Sequence, residues 1–249
     1  MEPTALLEGK VALVTGSSRG VGAATAVLLA KAGIDVAVNY RNKRPRAEQI
    51  ADEIRALGRR ALLVQADLTD EHQVRRMFDR IRERFGRLDV LVLNASGGLE
   101  RNMPADYAMR LNRDAQIRAV DLALPLMPDG GRVVFVTSHF AHFHGEKPVL
   151  PDYEPVAASK RAGEDALRTR IPALADHGVT LVVVSGDIIA GTITATLLER
   201  ANPGLTGKRE QTVGGALPTV EEFADAVADA AVAPAIASGA TVFIGSTDP

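Results

Sequence analysis

The run Thr15-Gly16-Ser17-Ser18-Arg19-Gly20-Val21-Gly22 follows a short apolar stretch and opens an amphipathic one. Glycines at 16, 20 and 22 allow a tight turn, close approach of backbone to a pyrophosphate, and close packing of helix on strand. A helix starting there would aim its N-terminal amides at the phosphate charge. A glycine motif alone says little, but one that ends a first strand and opens a helix within a β-α-β unit points to a dinucleotide. Which dinucleotide is read at the end of the second apolar run. Asn39-Tyr40-Arg41-Asn42-Lys43-Arg44 has no carboxylate to take a ribose 2′-hydroxyl and carries three cations. A guanidinium at Arg41, with Arg19 from the glycine loop, suits a 2′-phosphate. NADP(H) is the expected cofactor.

A second group of reactive side chains follows the fifth apolar run: Ser138, His139, His142, His144, Tyr153 and Lys160. The histidines titrate near neutrality and could serve as acids, but are expected mainly to line or flank a pocket. His-x-x-His-x-His without a clear carboxylate partner makes a poor metal site, and no metal is expected. No Gly-x-Ser-x-Gly elbow surrounds Ser138, so it reads as an orienting group rather than a nucleophile.

These residues need a scaffold, and the hydrophobic pattern supplies one. Apolar runs at 11–15, 34–39, 60–65, 88–93, 132–137, 179–184 and 241–244 are mostly continuous, as strands covered on both faces require. Helical patterns at 21–32, 46–57, 71–85, 105–126, 155–177 and 220–233 lie between them. The alternation predicts an α/β fold: one Rossmann-type, doubly wound parallel sheet of about seven strands with helices on both faces. No composition shift divides residues 1–249, so a single domain is expected. Two segments interrupt the rhythm after strand ends, where ligands of open sheets bind. Residues 138–152, rich in aromatics and histidine, read as a substrate loop; the glycine-rich 185–218 reads as a mobile, structureless lid.

Composition narrows the function. The 249 residues carry 29 Lys+Arg against 31 Asp+Glu, a formal charge of −2 that offers no field for gripping nucleic acid. With no cysteine, disulfides and thiolate chemistry are excluded. The start Met1-Glu2-Pro3 has no signal-peptide pattern, and no apolar run is long enough to cross a membrane, so a cytoplasmic location is expected.

Over nearly its whole length the chain resembles the short-chain dehydrogenase/reductase family. Thr15–Gly22 stands where that family has TGxxxGxG, and Asp67-Leu68 matches its acidic turn beside the adenine. Asn94-Ala95-Ser96-Gly97 stands in place of NNAG, Asn112 matches the helix asparagine, and Ser138 the catalytic serine. The resemblance implies that Gly16, Ser18, Arg19, Gly20, Val21, Gly22, Asn39, Tyr40, Arg41, Asp67, Leu68, Asn94, Ala95, Ser96, Lys160 and Gly186 bind cofactor. It implies catalytic roles for Ser138, Tyr153, Lys160 and Asn112, and a homotetramer or homodimer built on the helices at 105–126 and 155–177.

The chain departs from the family at one point. The common pattern Tyr-x-x-x-Lys puts a tyrosine four residues before Lys160, where this chain has Val156; its tyrosine is Tyr153, seven residues before. This Tyr-x6-Lys spacing is similar to that of NADPH-dependent type III enoyl-acyl carrier protein reductases. Such enzymes carry a further tyrosine ten residues earlier, where this chain has Phe143. In enoyl reduction the hydride lands on the β-carbon, three bonds from the oxygen that takes up charge. A three-residue displacement, about 4.5 Å along a helix, has the direction of that longer reach. The expected function is therefore NADPH-dependent reduction of an activated double bond, an enoyl thioester, with Lys160 on the nicotinamide ribose and Tyr153 on the thioester oxygen. The alternatives are a carbonyl reductase with an atypically placed tyrosine, and a cofactor-binding subunit without catalysis.

Overall fold

The computed structural model describes residues 7–100 and 102–248; residues 1–3, on which the signal-peptide reading rests, lie outside them. Seven parallel strands form one sheet in the order β3-β2-β1-β4-β5-β6-β7. They are β1 (Val11–Val14), β2 (Asp35–Tyr40), β3 (Ala61–Gln65), β4 (Val90–Leu93), β5 (Arg132–Ser138), β6 (Thr180–Gly186) and β7 (Thr241–Ile244). The chain builds outward from β1 to β3, then returns to place β4 on the other side of β1. The crevice opened at that reversal, beyond the carboxyl ends of β1 and β4, is where such sheets hold ligands.

Alternate residues of each strand feed two separate cores. Val11, Leu13, Leu91, Val133 and Phe135 pack under α3 (Glu71–Phe85), α4 (Tyr107–Met109), α5 (Ala115–Ala123) and α7 (Glu154–Arg168). Ala12, Val14, Val36, Val38, Val92 and Val134 face α1 (Gly20–Lys31), α2 (Arg44–Ala56) and α11 (Val220–Val232). With both faces buried, the strands contain little but Val, Leu, Ile and Ala, which explains the continuous runs in the sequence.

Three expected elements take a different form. The helix expected over 105–126 begins at Tyr107, passes through a π-turn at Arg110–Asp114 and ends in a 3₁₀ turn at Leu124–Leu126. The pattern over 155–177 divides into α7 and α8 (Ile171–Ala175), with a turn between them. The segment 185–218, expected as a structureless lid, holds two helices. Thr192 caps α9 (Ile193–Ala201) by accepting the Ala195 amide at 3.1 Å, and α10 (Leu205–Val213) follows after Asn202-Pro203-Gly204. Residues 138–152, expected as a substrate loop, likewise hold a short helix, α6 (His139–His142), and run into a 3₁₀ turn at Pro151–Tyr153. No helix among the described residues is long and apolar enough to cross a membrane.

Candidate active site

A cavity of about 720 Å³ runs along the carboxyl ends of the central strands, from the glycine loop to Tyr153. Gly16, Ser18, Arg19, Gly20, Val21, Gly22, Asn39, Tyr40, Arg41, Asp67, Leu68, Asn94, Ala95, Ser96 and Lys160 all line it. Gly186 does not. It lies in register with Ser138 and Ile244, and a Cβ there would come within 2.6 Å of the Phe223 ring. It is a packing position between β6 and α11.

Buried polar side chains hold the cofactor end in shape. Asn39 Oδ1 accepts the Gly16 amide at 3.0 Å while its Nδ2 donates to the Val64 carbonyl at 3.2 Å, tying the glycine loop across β2 to β3. Thr15 Oγ1 accepts the amides of Asn94 and Ala95 at 2.9 and 3.0 Å, and Asn94 Nδ2 donates to the Thr15 carbonyl at 2.9 Å. Gly22 has no room for a side chain: a Cβ would lie 2.4 Å from Asn94 Nδ2 and 2.7 Å from the Gly16 carbonyl. Arg19, in extended conformation, precedes α1 without a side-chain cap, so the first-turn amides of this 12-residue helix are left for an anion. Lys43 and Arg46 join Arg19 and Arg41 on the cavity wall, and none of the four makes an ion pair among the described residues. An uncapped helix N-terminus, a glycine cradle and four cations without ion-pair partners among the described residues fit a phosphorylated dinucleotide, although the carboxylates of Asp67 and Glu100 line the same cavity.

At the other end, the Tyr153 hydroxyl lies 3.2 Å from Ser138 Oγ. Ser138 ends β5 and accepts the Ala141 amide at 3.3 Å, which fixes its rotamer as the cap of α6. Tyr153 closes the 3₁₀ turn, its amide donating to the Leu150 carbonyl at 2.8 Å, and α7 starts at the next residue with Pro155 in its first turn. The phenol therefore enters from just before the helix, while Val156, at the family's usual tyrosine position, is part of the apolar wall. Burial pushes the Tyr153 phenol above its ordinary range, so it keeps its proton near neutral pH. Lys160, one helix face along, is buried, has no hydrogen-bond partner among the described residues, and is pushed down to about 8 by that burial. A buried ammonium without a partner on a cavity wall is suited to the hydroxyls of a bound ribose.

Asn112 does not line the cavity. Its Oδ1 accepts the Gly97 amide at 3.2 Å, and its Nδ2 donates to the Gly97 carbonyl at 2.8 Å and to Ser159 Oγ at 2.9 Å. It sits in the π-turn and clamps the loop after β4 to α7. Gly163 allows this approach: a Cβ there would be 2.2 Å from the Asn112 carbonyl oxygen. Asn112 thus meets the cavity only through Gly97, which lines it.

None of the three loop histidines lines this cavity. His139 bonds Ser185 Oγ through Nδ1 at 2.8 Å and lines a separate space of about 240 Å³ behind Phe140; burial pushes its pKa down to about 4. His142 meets the buried Glu164 at 2.9 Å, and His144 meets Glu154 at 2.7 Å on the surface. These are structural contacts rather than acids facing a substrate. No cluster of metal-ligating side chains occurs among the described residues. The walls around Ser138 and Tyr153 also hold Leu99, Phe140, Ile188 and Leu198, with Phe140 tilted on Tyr153 at 5.7 Å between ring centroids. Phe140 lies in the expected substrate loop, and Ile188 and Leu198 in the segment 185–218. Sequence spacing does not single them out as wall residues, because α6 and α9 and the turns around them bring them in. Asp187, another unforeseen wall residue, is tied to Arg209 of α10 at 2.9 Å.

Comparison with known proteins agrees with this geometry. The family model described as short chain dehydrogenase matches residues 10–202. A versicolorin reductase of Emericella nidulans is 35% identical over 185 residues, which is 72% of this chain and 69% of the relative. A hydroxynaphthalene reductase-like protein of Metarhizium guizhouense is 37% identical over 171 residues, 66% of this chain and 62% of its own. Among solved structures, the angucycline C-6 ketoreductase LanV with bound NADP superposes with a TM-score of 0.80 at 32% identity, covering 97% of this chain and 96% of that one. None of the three is named for an enoyl thioester, so the expected place in the enoyl-acyl carrier protein reductase branch gives way to a broader assignment. The chain belongs to the short-chain dehydrogenase/reductase family.

Proposed function

We propose that this oxidoreductase uses NADPH to reduce a ketone, and that the ketone belongs to a fused-ring, largely apolar molecule. The observation that carries the reading is the 3.2 Å approach of the Tyr153 hydroxyl to Ser138 Oγ. Two hydroxyls so close converge on a single acceptor oxygen, as polarising a carbonyl requires. The names of the relatives support it, since one is a C-6 ketoreductase, one a versicolorin reductase, and one is named for a hydroxynaphthalene, a fused bicyclic ring. Leu99, Phe140, Val156, Ile188 and Leu198 offer apolar walls beside that pair.

The residues divide the work. The amides at 20–22 would hold the pyrophosphate, Arg41 with neighbouring cations the 2′-phosphate, and Lys160 the nicotinamide ribose. When bound, NADPH supplies the hydride. Ser138 would fix the substrate oxygen, and Tyr153, protonated at neutral pH, would hand it a proton as charge develops there. A phenol is a far stronger acid than an alcohol, so the transfer runs downhill even with a raised pKa. The Lys160 ammonium, close to the same wall, favours that developing charge. The Tyr-x6-Lys spacing favours a second reading, enoyl-thioester reduction with the same residues on a thioester oxygen.

The test is a panel of bicyclic ketones and enoyl thioesters incubated with enzyme and NADPH, with products identified by mass and retention. Secondary alcohols from the ketones, with the thioesters untouched, are expected. Saturated thioesters as the main product would replace the first reading with the second. Assembly belongs to the same proposal: a homodimer or homotetramer, for which light scattering should give a multiple of the 26.4 kDa chain.

A further inference from the structure

Arg41 leaves the end of β2 as an exposed side chain, yet its guanidinium is not loose. Its Nη1 donates to the hydroxyl of Tyr107 at 2.6 Å, a residue 66 positions away at the start of α4. Its own backbone carbonyl accepts Gln65 Nε2 from β3 at 2.9 Å, so both ends of the residue are fixed. Arginine has no acceptor, which makes the phenol oxygen the acceptor and leaves the other guanidinium N–H groups for a ligand. Tyr107 is buried under the loop after β4, its amide bonded to the Pro104 carbonyl at 2.9 Å, so the anchor is firm. Burial also pushes its phenol above the ordinary range, and it stays a neutral hydroxyl across the working pH range. Both side chains line the dinucleotide cavity.

We infer that Tyr107 is a cofactor-specificity residue, which holds the Arg41 guanidinium in place for the 2′-phosphate of NADP(H). The inference rests on the NADPH reading proposed above. A long arginine loses rotamer freedom when it grips a phosphate, and one already held has less to lose. Arg19, Lys43 and Arg46 line the same end, but of the four cations only Arg41 has a side-chain hydrogen bond among the described residues. Tyr107 therefore acts through Arg41, and only on the cofactor that carries the extra phosphate.

Calorimetric titration of the full chain with NADPH and with NADH tests this, using wild type, Tyr107→Phe, Arg41→Ala and the double variant. Tyr107→Phe keeps the buried ring and removes only the hydroxyl. It is expected to weaken NADPH binding by about 5- to 15-fold, at the low end of what a hydrogen bond to a charged group contributes because the tether acts only through Arg41, while NADH binding stays within about twofold. In the Arg41→Ala background the same change should alter NADPH binding by no more than about twofold. Unchanged NADPH binding in Tyr107→Phe, an equal loss for both cofactors, or an undiminished loss without Arg41 would each overturn the inference while leaving the cofactor reading intact. A wild type that binds NADH as tightly as NADPH would instead overturn the cofactor reading, and this inference with it.

Discussion

The Tyr153 hydroxyl reaches to 3.2 Å from Ser138 Oγ although the tyrosine stands seven residues before Lys160 rather than four. The 3₁₀ turn at Pro151–Tyr153 makes this possible, because it delivers the ring from just outside α7 instead of from its first turn. A shift that along a continuous helix would carry the phenol away from the serine is thus compensated by the turn. The spacing changes, and the pairing with Ser138 survives.

Tyr153→Phe should keep the fold and NADPH affinity while lowering kcat by about 10²–10³-fold, the usual loss for one donor to a developing oxyanion. Steady-state kinetics with cofactor titration on the best substrate checks it. Full activity would make the phenol a wall of the cavity and nothing more.

Lys160 gives a pH signature in the cofactor-free protein. Its pKa is held down to about 8 by burial, below the ordinary lysine value, so the unfolded chain binds its proton more strongly. The burden of the buried charge is fully present below about pH 8 and is relieved as pH rises from there toward the unfolded value. Wild type should therefore gain stability relative to Lys160→Met across that window, by no more than about 3 kcal/mol. Chemical denaturation at a series of pH values measures it; a difference that stays flat would mean the ammonium is not desolvated.

Glu164 anchors α7 to the far edge of the sheet. It meets His142 and Arg168, and Arg168 also donates to the Gly239 carbonyl and to Thr241 Oγ1 at 2.7 Å each. Burial opposes its charge, but the bonds to His142 and Arg168 outweigh it and hold the carboxyl below the ordinary range. A depressed carboxyl contributes stability above its unfolded pKa and loses it as pH falls through the folded value. Glu164→Gln should cost about 3 kcal/mol at pH 7, with the gap to wild type closing in acid. A pH-independent difference in urea melts would contradict this.

Gly22→Ala places a methyl group against Asn94 Nδ2 and the Gly16 carbonyl. The helix or the loop must move, at a cost of about 1–3 kcal/mol, and the anion cradle moves with it. NADPH affinity in calorimetry should fall much further than thermal stability does. A variant that melts early but binds cofactor normally would show that Gly22 serves packing alone.

The sheet could be read from the sequence because both of its faces are covered: a strand such as Val11–Val14 leaves no polar position to confuse the pattern. The glycine loop and Arg41 could be placed on the cavity wall because their positions follow from backbone geometry and local charge at strand ends. Helices α9 and α10 could not, since α10 buries no residue and carries Gly207 among polar side chains, and Pro203-Gly204 between the two helices breaks the period. The histidines suggested chemistry because three of them follow a strand end, but their direction depends on α6, only four residues long. The Tyr153–Ser138 and Arg41–Tyr107 pairs are contacts between elements separated in sequence, and no spacing rule reaches them.

Whether the hydride lands on the carbon of a carbonyl held by Ser138 and Tyr153 is decided by one substrate that carries both reducible bonds. A fused-ring α,β-unsaturated ketone incubated with the enzyme and NADPH can yield either the allylic alcohol or the saturated ketone, and mass with NMR tells them apart. The allylic alcohol is expected, formed by wild type and about 10²–10³-fold more slowly by Tyr153→Phe. The saturated ketone as the main product would contradict the ketone reading and place the hydride on the β-carbon.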